Sequence, residues 1–378
     1  MKRVVSIALL DAAVVSIQTV VLPLYFVAIA IGAAEMGVIF AVMQVVFLFA
    51  RIAFAVAGDQ IGPRKILAAG GIFTFIMNII YAIASSPVFF ALGQVFDGLR
   101  ASAFWAVIRT AAFRASKPGE ESRNSAIMVS ARSLATSLAK VAAGLLLVYL
   151  SFQNIFFLLA GVGLLMALLA ISMKNGDSPG KISLAGAQQL LRTKRGWSFW
   201  RTSLPLVSCD IPYTALFSFV VPVYMKVQLN MSYEAIGFWL AVFFFLEAAA
   251  NYAATKLKLD YKLTLYLVLL TAVVPIALLA LPQFFVPALV LFGIGSGLSA
   301  IAYEHTVAKA TKNKRDTSTA IALLMIPTRI GDFLSLIGAG LIIAVAGFTP
   351  VFILCALFWL GFVLLSLRLV ASSRRKPV

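Results

Sequence analysis

Residues Val5–Ile31 read VSIALLDAAVVSIQTVVLPLYFVAIAI, a 27-residue run in which Asp11 is the one charged residue. A hydrocarbon core about 30 Å thick needs roughly 20 apolar residues of helix, so this run is long enough to cross it. The preceding Met1-Lys2-Arg3 looks like the start of a secretory leader. The apolar run exceeds the ~7–15 residues of such a leader, however, so it is expected to be an uncleaved first span.

The rest of the 378-residue chain repeats the pattern. Apolar runs fall near 5–31, 34–58, 66–84, 88–113, 124–150 and 153–173, and after a polar stretch near 202–226, 232–256, 263–281, 284–310, 317–346 and 349–368. With 62% hydrophobic and 12% charged residues, the chain carries too much apolar surface for water to be its main solvent. The expected fold is all-α, with twelve transmembrane helices in two pseudo-symmetric six-helix bundles around a central cavity. Residues 1–173 form the first bundle and 197–378 the second. Residues 174–196 are a cytoplasmic linker that holds Leu184, Leu190 and Leu191 beside Lys181, Arg192, Lys194 and Arg195, a composition that fits an amphipathic interfacial stretch as well as a solvated one.

The net charge of +17 would fit a nucleic-acid partner only if the bases formed one face of a domain. They lie instead in short clusters between apolar runs. Of the 31 Lys and Arg residues, 24 fall in the tails and one set of alternate loops, and one, Lys226, in the opposite set. The positive-inside rule then puts both termini and the central linker in the cytoplasm of a multi-pass cell-membrane protein whose surroundings are the lipid bilayer, with no nucleic-acid partner.

The halves are related in sequence. Asp11, Pro23, Tyr25 and Glu35 recur as Asp210, Pro222, Tyr224 and Glu234, each 199 residues later, and Gly98-Leu99 recurs as Gly297-Leu298. Phe152 and Phe156 recur as Phe348 and Phe352 at an offset of 196. Duplicated bundles of this kind are common in transporters.

An ionisable side chain in mid-bilayer costs about 2.5–3.5 kcal/mol or more, so each one is a functional candidate. Spans 1, 4, 7 and 10 carry Asp11; Asp97, Arg100 and Arg109; Asp210; and Glu304 with His305. Spans 2, 5, 8 and 11 carry Arg51; Arg132 and Lys140; Glu247; and Arg329 with Asp332, while spans 3, 6, 9 and 12 carry none. This period of three predicts four outer helices that are apolar all round and eight inner ones enclosing a polar cavity. Counting from the span ends places Arg100, Lys140, Glu247 and Asp332 near the midplane, with Asp97 close by. Asp11, Arg109, Asp210 and Glu304 fall in the cytoplasmic half, where a latch is as reasonable as substrate contact.

Asp97–Arg100 and Arg329–Asp332 have the i,i+3 spacing of structural salt bridges. A carboxylate whose surroundings change in wetness is alternatively a proton carrier, because desolvation favours its neutral form. Glu247 has no base within four positions and ranks first for that role, followed by Asp332, Asp97 and Asp11. Substrate-cavity candidates are Arg100, Arg132, Lys140, Asp210 and Arg329 with the aromatics Tyr25, Trp105, Tyr224 and Tyr303; packing is an equal reading for the aromatics. Pro23, Pro222, Pro275 and Pro327 are candidate kinks.

Between spans 2 and 3 the chain reads Ala55-Val56-Ala57-Gly58-Asp59-Gln60-Ile61-Gly62-Pro63-Arg64-Lys65. Together with Gly98 in span 4 and the acidic turn Glu120-Glu121 before Arg123, it resembles the major facilitator superfamily over essentially the whole length. In that family the loop latches the outward-open state through ion pairs. Asp59, Gly62, Arg64 and Lys65 match its pattern and are the implied cytoplasmic gate, whereas Ala55, Gln60 and Pro63 depart from it. Gln94 stands where the family's span-4 arginine is expected, and Arg100 follows two positions beyond Gly98. The acid in span 1 is similar to that of drug–proton antiporters of the superfamily.

The resemblance implies a monomeric secondary transporter working by alternating access on a small-molecule substrate, with protons as the coupling ion. Efflux of hydrophobic or amphipathic compounds is the first reading. Uptake symport of a sugar or organic acid, or a non-transporting sensor or scaffold on the same fold, is the alternative. There is no Walker A, H-E-x-x-H or G-x-S-x-G motif and no metal-ligand cluster, so no enzyme, cofactor or metal is expected.

Overall fold

A computed structural model of the chain describes residues 2–114, 116, 121–173, 196–257, 259–311 and 323–374. The amphipathic linker of the sequence reading, the loop from Lys117 to Glu120 and the start of the eleventh predicted run lie outside the described residues.

The first six helices are α1 (Lys2–Ala28), α2 (Ala33–Ile61), α3 (Pro63–Ile83), α4 (Pro87–Arg114), α5 (Glu121–Tyr149) and α6 (Phe152–Ile171). A short α7 (Trp197–Arg201) leads into α8 (Ser203–Ala215), which continues through a π-helical turn, Leu216–Val220, into α9 (Val221–Val227). Then come α10 (Tyr233–Leu257), α11 (Tyr261–Val268), a second π-turn at Leu269–Val273, α12 (Val274–Leu278), α13 (Phe285–Thr311), α14 (Ile326–Ala346) and α15 (Phe348–Arg374). Eleven segments among the described residues are long and apolar enough to cross a membrane. The twelfth, α4, has 28 residues; Gln94, Asp97 and Arg100 lower the hydropathy of its centre. The protein is a multi-pass membrane protein, and in such a solvent the helix is the form that satisfies each backbone group internally.

Each π-turn ends just before a Val-Pro pair, Val221-Pro222 and Val274-Pro275. Proline lacks an N–H and its ring crowds the carbonyl four residues earlier, so the helix widens by one residue there instead of breaking. Pro23 sits within a continuous α1, and Pro327 in the first turn of α14, where its missing donor costs nothing.

The chain divides into two compact units. One comprises Met1–Ile31, Val38–Arg192 and Ser232–Gly237, and the other Gly32–Gly37, Thr193–Met231 and Phe238–Val378. The sequence repeat is visible inside each. In the first, Tyr25 stacks on Phe152 at 4.9 Å and meets Phe156 at 6.0 Å. In the second, Tyr224 meets Phe348 at 5.2 Å and Phe352 at 5.0 Å. The repeated glycines also act alike. A Cβ on Gly98 would lie 2.6 Å from Val46 Cβ on α2, and one on Gly297 would lie 2.2 Å from the Glu247 carbonyl oxygen on α10. Glycine is thus what lets the fourth helix of each half touch the second.

One expectation is corrected. The third span is not apolar all round: α3 buries Thr74 and Asn78 completely, and Asn78 accepts a 2.9 Å bond from the Gln18 amide on α1. Charge counting passes over neutral amides, which bring a helix inward just as well.

Replacing Gly297 with leucine overpacks the α10–α13 crossing at a cost of about 1–3 kcal/mol. Gly161 has open space around it, so Gly161→Leu is the control. Thermal unfolding in detergent should separate the two variants, and equal unfolding temperatures would refute the crossing argument.

Candidate functional site

In the first unit α1, α4 and α5 meet around Asp11, a carboxylate only 1% exposed. Arg100 reaches one of its oxygens at 2.5 Å and Arg132 the other at 3.0 Å. Arg100 also binds Asp97 at 2.7 Å through Nε, the predicted i,i+3 pair. Arg132 donates in addition to the Ala8 carbonyl at 2.8 Å and lies over the Phe104 and Trp105 rings at 4.6 and 5.0 Å. About two turns further, Lys140 donates to the Thr19 hydroxyl at 2.5 Å. Two carboxylates and two guanidiniums thus form a neutral, closed cluster.

The counterpart in the second unit shares two positions with the first, Asp210 for Asp11 and Arg329 for Arg132, and differs in its chemistry. Asp210 accepts a 3.0 Å bond from the Tyr303 hydroxyl and lies 3.7 Å from Arg329. Arg329 in turn pairs with Asp332 at 2.8 Å, the other predicted i,i+3 pair, and Asp332 accepts from the Thr214 hydroxyl at 2.9 Å. Asp210 is the repeat of Asp11, and Arg329 lies 197 residues after Arg132, between the two repeat offsets. At offset 199, however, Arg100 has become Ser299, Asp97 has become Ser296 and Phe104 has become Tyr303.

Glu247, on α10, is partly buried and accepts from hydroxyls. Ser296 donates at 3.1 Å, and Tyr213 lies 3.4 Å from both carboxylate oxygens. Tyr213 and Thr214 stand three and four residues after Asp210, on the helical turn just before the π-turn. That spacing and the match of Ser296 to Asp97 were present in the sequence, but a search for charge alone does not find them.

Depth counted along each helix separates Asp11 from Arg100, whereas the structure joins them; span ends are a poor ruler for helices that start at different levels. Tyr25 and Tyr224, for which a cavity wall and packing are equal readings of the sequence, are 5% and 2% exposed within their aromatic clusters. Trp105 is 42% exposed. Glu304 and His305 are exposed, and the His305 ring lies 4.3 Å from that of Tyr261. In the gate motif Asp59 falls in the last turn of α2, and Gly62 takes φ 84°, ψ 154°, a conformation natural to glycine, before Pro63 starts α3 with Arg64 and Lys65 in its first turn. The side chains of Asp59 and Arg109 lie outside the described residues.

The family model described as Major Facilitator Superfamily matches residues 4–219 and again 207–378. The chain belongs to that superfamily. It is therefore a secondary transporter of a small-molecule substrate by family. Among solved structures it is similar to the nucleoside transporter NupG, with 15% identity, a TM-score of 0.77 and 99% of each chain covered. It is also similar to a bacterial homolog of the human lysosomal transporter Spinster in an inward-facing and occupied conformation, with 15% identity, a TM-score of 0.73, and 100% of this chain and 98% of that one covered. At these identities the likeness is one of fold, the all-helical major facilitator fold. No curated protein matches in sequence.

Removing one member of a buried ion pair leaves its partner uncompensated, at about 3–5 kcal/mol. Arg100→Met should therefore lower the thermal stability of the detergent-solubilised protein markedly, because it removes the ion-pair partner of Asp97 and one of the two of Asp11. Trp105→Leu should stay close to wild type. Equal losses in the two variants would show that the ion pairs are not what holds α1 to α4.

Proposed function

We propose that the chain is a proton-coupled secondary transporter, with Glu247 as the first proton carrier and an efflux antiport of hydrophobic or amphipathic compounds as its activity. The observation that carries this reading is the set of hydroxyl partners on Glu247. Hydroxyls bond a carboxyl in either charge state, because they donate to the anion and can accept from the acid. Glu247 is therefore able to take up and give up a proton without losing Ser296 or Tyr213. The aromatic side chains around it support an apolar substrate: Phe217 lies 5.1 Å from Tyr213, and Phe243 4.3 Å from Phe217. The charge bias of the loops supports a cell-membrane protein with both termini and the 174–196 linker in the cytoplasm, the two halves 1–173 and 197–378 acting as the moving bodies. Asp59, Gly62, Arg64 and Lys65 are the cytoplasmic gate in this reading, and the transporter acts as a monomer.

Reconstituted vesicles carrying an imposed pH gradient test it against a panel of labelled lipophilic cations, neutral amphiphiles, sugars, nucleosides and organic acids. The expected result is gradient-driven movement of an amphipathic compound. Glu247→Gln should abolish the gradient dependence while leaving downhill exchange in place. Gradient-driven transport unchanged in Glu247→Gln would overturn the assignment of the carrier. Transport indifferent to pH in the wild type would overturn proton coupling.

Orientation is tested separately. Single cysteines introduced at the two ends of the chain, in a variant with Cys209 and Cys355 replaced, should resist an impermeant thiol reagent in intact cells and react after lysis. Labelling of either end in intact cells would reverse the topology.

A further inference from the structure

We infer that Asp210 and Asp332 are a second proton-holding pair, in which one proton and one guanidinium, Arg329, are shared between two carboxylates. The inference deepens the proton-coupled reading above by adding to Glu247 a site for which the first unit, with a guanidinium for each carboxylate, has no counterpart.

The comparison between repeats carries it. In the first unit the span-1 acid has both oxygens occupied by guanidiniums, at 2.5 and 3.0 Å, and the second acid, Asp97, has Arg100 at 2.7 Å. Two positive charges there match two negative ones. In the second unit the position of Arg100 holds Ser299, whose oxygen accepts from the Trp359 indole at 3.0 Å. Among the described residues Arg329 is the one base in ion-pair contact with either Asp210 or Asp332. It sits unequally between them, 2.8 Å from Asp332 and 3.7 Å from Asp210. Asp332 is fully buried, Asp210 is 20% exposed and Arg329 28%.

Among the described residues a second negative charge at this depth has no positive one in ion-pair contact besides Arg329. A proton taken from water by either carboxylate restores neutrality, as for other paired carboxylates at one site. Each member has a hydroxyl that serves both of its charge states: Tyr303 for Asp210 and Thr214 for Asp332. Among the described residues, the other titratable groups facing the pair do not supply a positive charge. On α8 they are Cys209 and Tyr213, on α10 Glu247, and on α13 Tyr303, with Glu304 and His305 beyond it and exposed. On α15, which packs against α8, the described base Arg368 is exposed toward the C-terminal end.

The test is to count protons bound by the purified full-length protein in lipid nanodiscs between acidic and alkaline buffers, without substrate or gradient, together with the infrared band of protonated carboxyl groups. Asp210→Asn, Asp332→Asn and the double variant should each lose the same single proton, because any one of these changes leaves no carboxylate in excess over Arg329. Glu247→Gln should lose a different one. Losses of two protons in the double variant, or none in either single variant, would overturn the sharing. Should an asparagine variant fail to fold, Tyr303→Phe and Thr214→Val keep both carboxylates. At least one of these should shift the carboxyl band without removing it, and a band indifferent to both overturns the assignment.

The two readings fail separately. A pair that holds its proton in a protein whose transport ignores pH leaves this site standing and removes the coupling. Pronounced pH-driven transport with no shared proton removes this site alone.

Discussion

The structure turns on how a carboxylate is kept in a solvent that does not hydrate it. Transfer of an unpaired charge into the bilayer costs several kcal/mol even by lenient scales, so each buried acid has to find a cation, a proton or a set of donors. Asp11 solves this with two guanidiniums delivered by two other helices. In doing so it fixes α1 against α4 and α5 at one level, because the arginines cannot reach it from other registers. The apolar surface of these helices gives little preference among registers in lipid. The ion pairs and the closely fitted glycines supply it.

The duplication separates what builds the fold from what distinguishes the halves. The packing positions are kept in kind. Gly98 and Gly297 both admit a neighbouring helix, and Tyr25 and Tyr224 both rest on phenylalanines at matching positions. The polar positions have diverged: Arg100 to Ser299, Asp97 to Ser296, Phe104 to Tyr303. Where the first unit has Arg100 the second has Ser299, and a tyrosine hydroxyl, that of Tyr303, reaches Asp210. The first unit matches two carboxylates with two guanidiniums, whereas the second has one guanidinium, Arg329, beside hydroxyls.

Much of the fold was legible in the sequence because lipid leaves the backbone so few choices. Hydropathy places the spans, and the offset of 199 pairs Asp11 with Asp210 before any coordinate is known. The two i,i+3 salt bridges follow from helical spacing alone. Contacts between helices are harder to read. The Arg100–Asp11 bond spans 89 residues, and the Tyr303–Asp210 bond spans 93. Neither register is encoded in the length of a span. Gln18, Asn78, Tyr213 and Ser296 do not stand out in the sequence, because a neutral polar residue is cheap enough in a membrane to occur without consequence and its presence alone carries little information. Prolines 222 and 275 were visible, but that the preceding turn widens to a π-helix depends on what packs beside it.

The contrast between guanidinium and hydroxyl also bears on which half can change charge. A guanidinium has donors only, so it stabilises a carboxylate in its ionised form and loses that contact when the carboxylate is protonated. In the cluster of two carboxylates matched by two guanidiniums, a proton added to Asp11 would leave one buried positive charge in excess. A hydroxyl donates to an anion and accepts from an acid by rotating one bond, so it penalises neither form. Ser296 and Tyr213 around Glu247, Thr214 at Asp332 and Tyr303 at Asp210 surround the second unit's acids with partners of this tolerant kind. A proton arriving there changes the local charge while the hydrogen-bond geometry persists. The same proton arriving at Asp11 would have to break the contacts that hold three helices together.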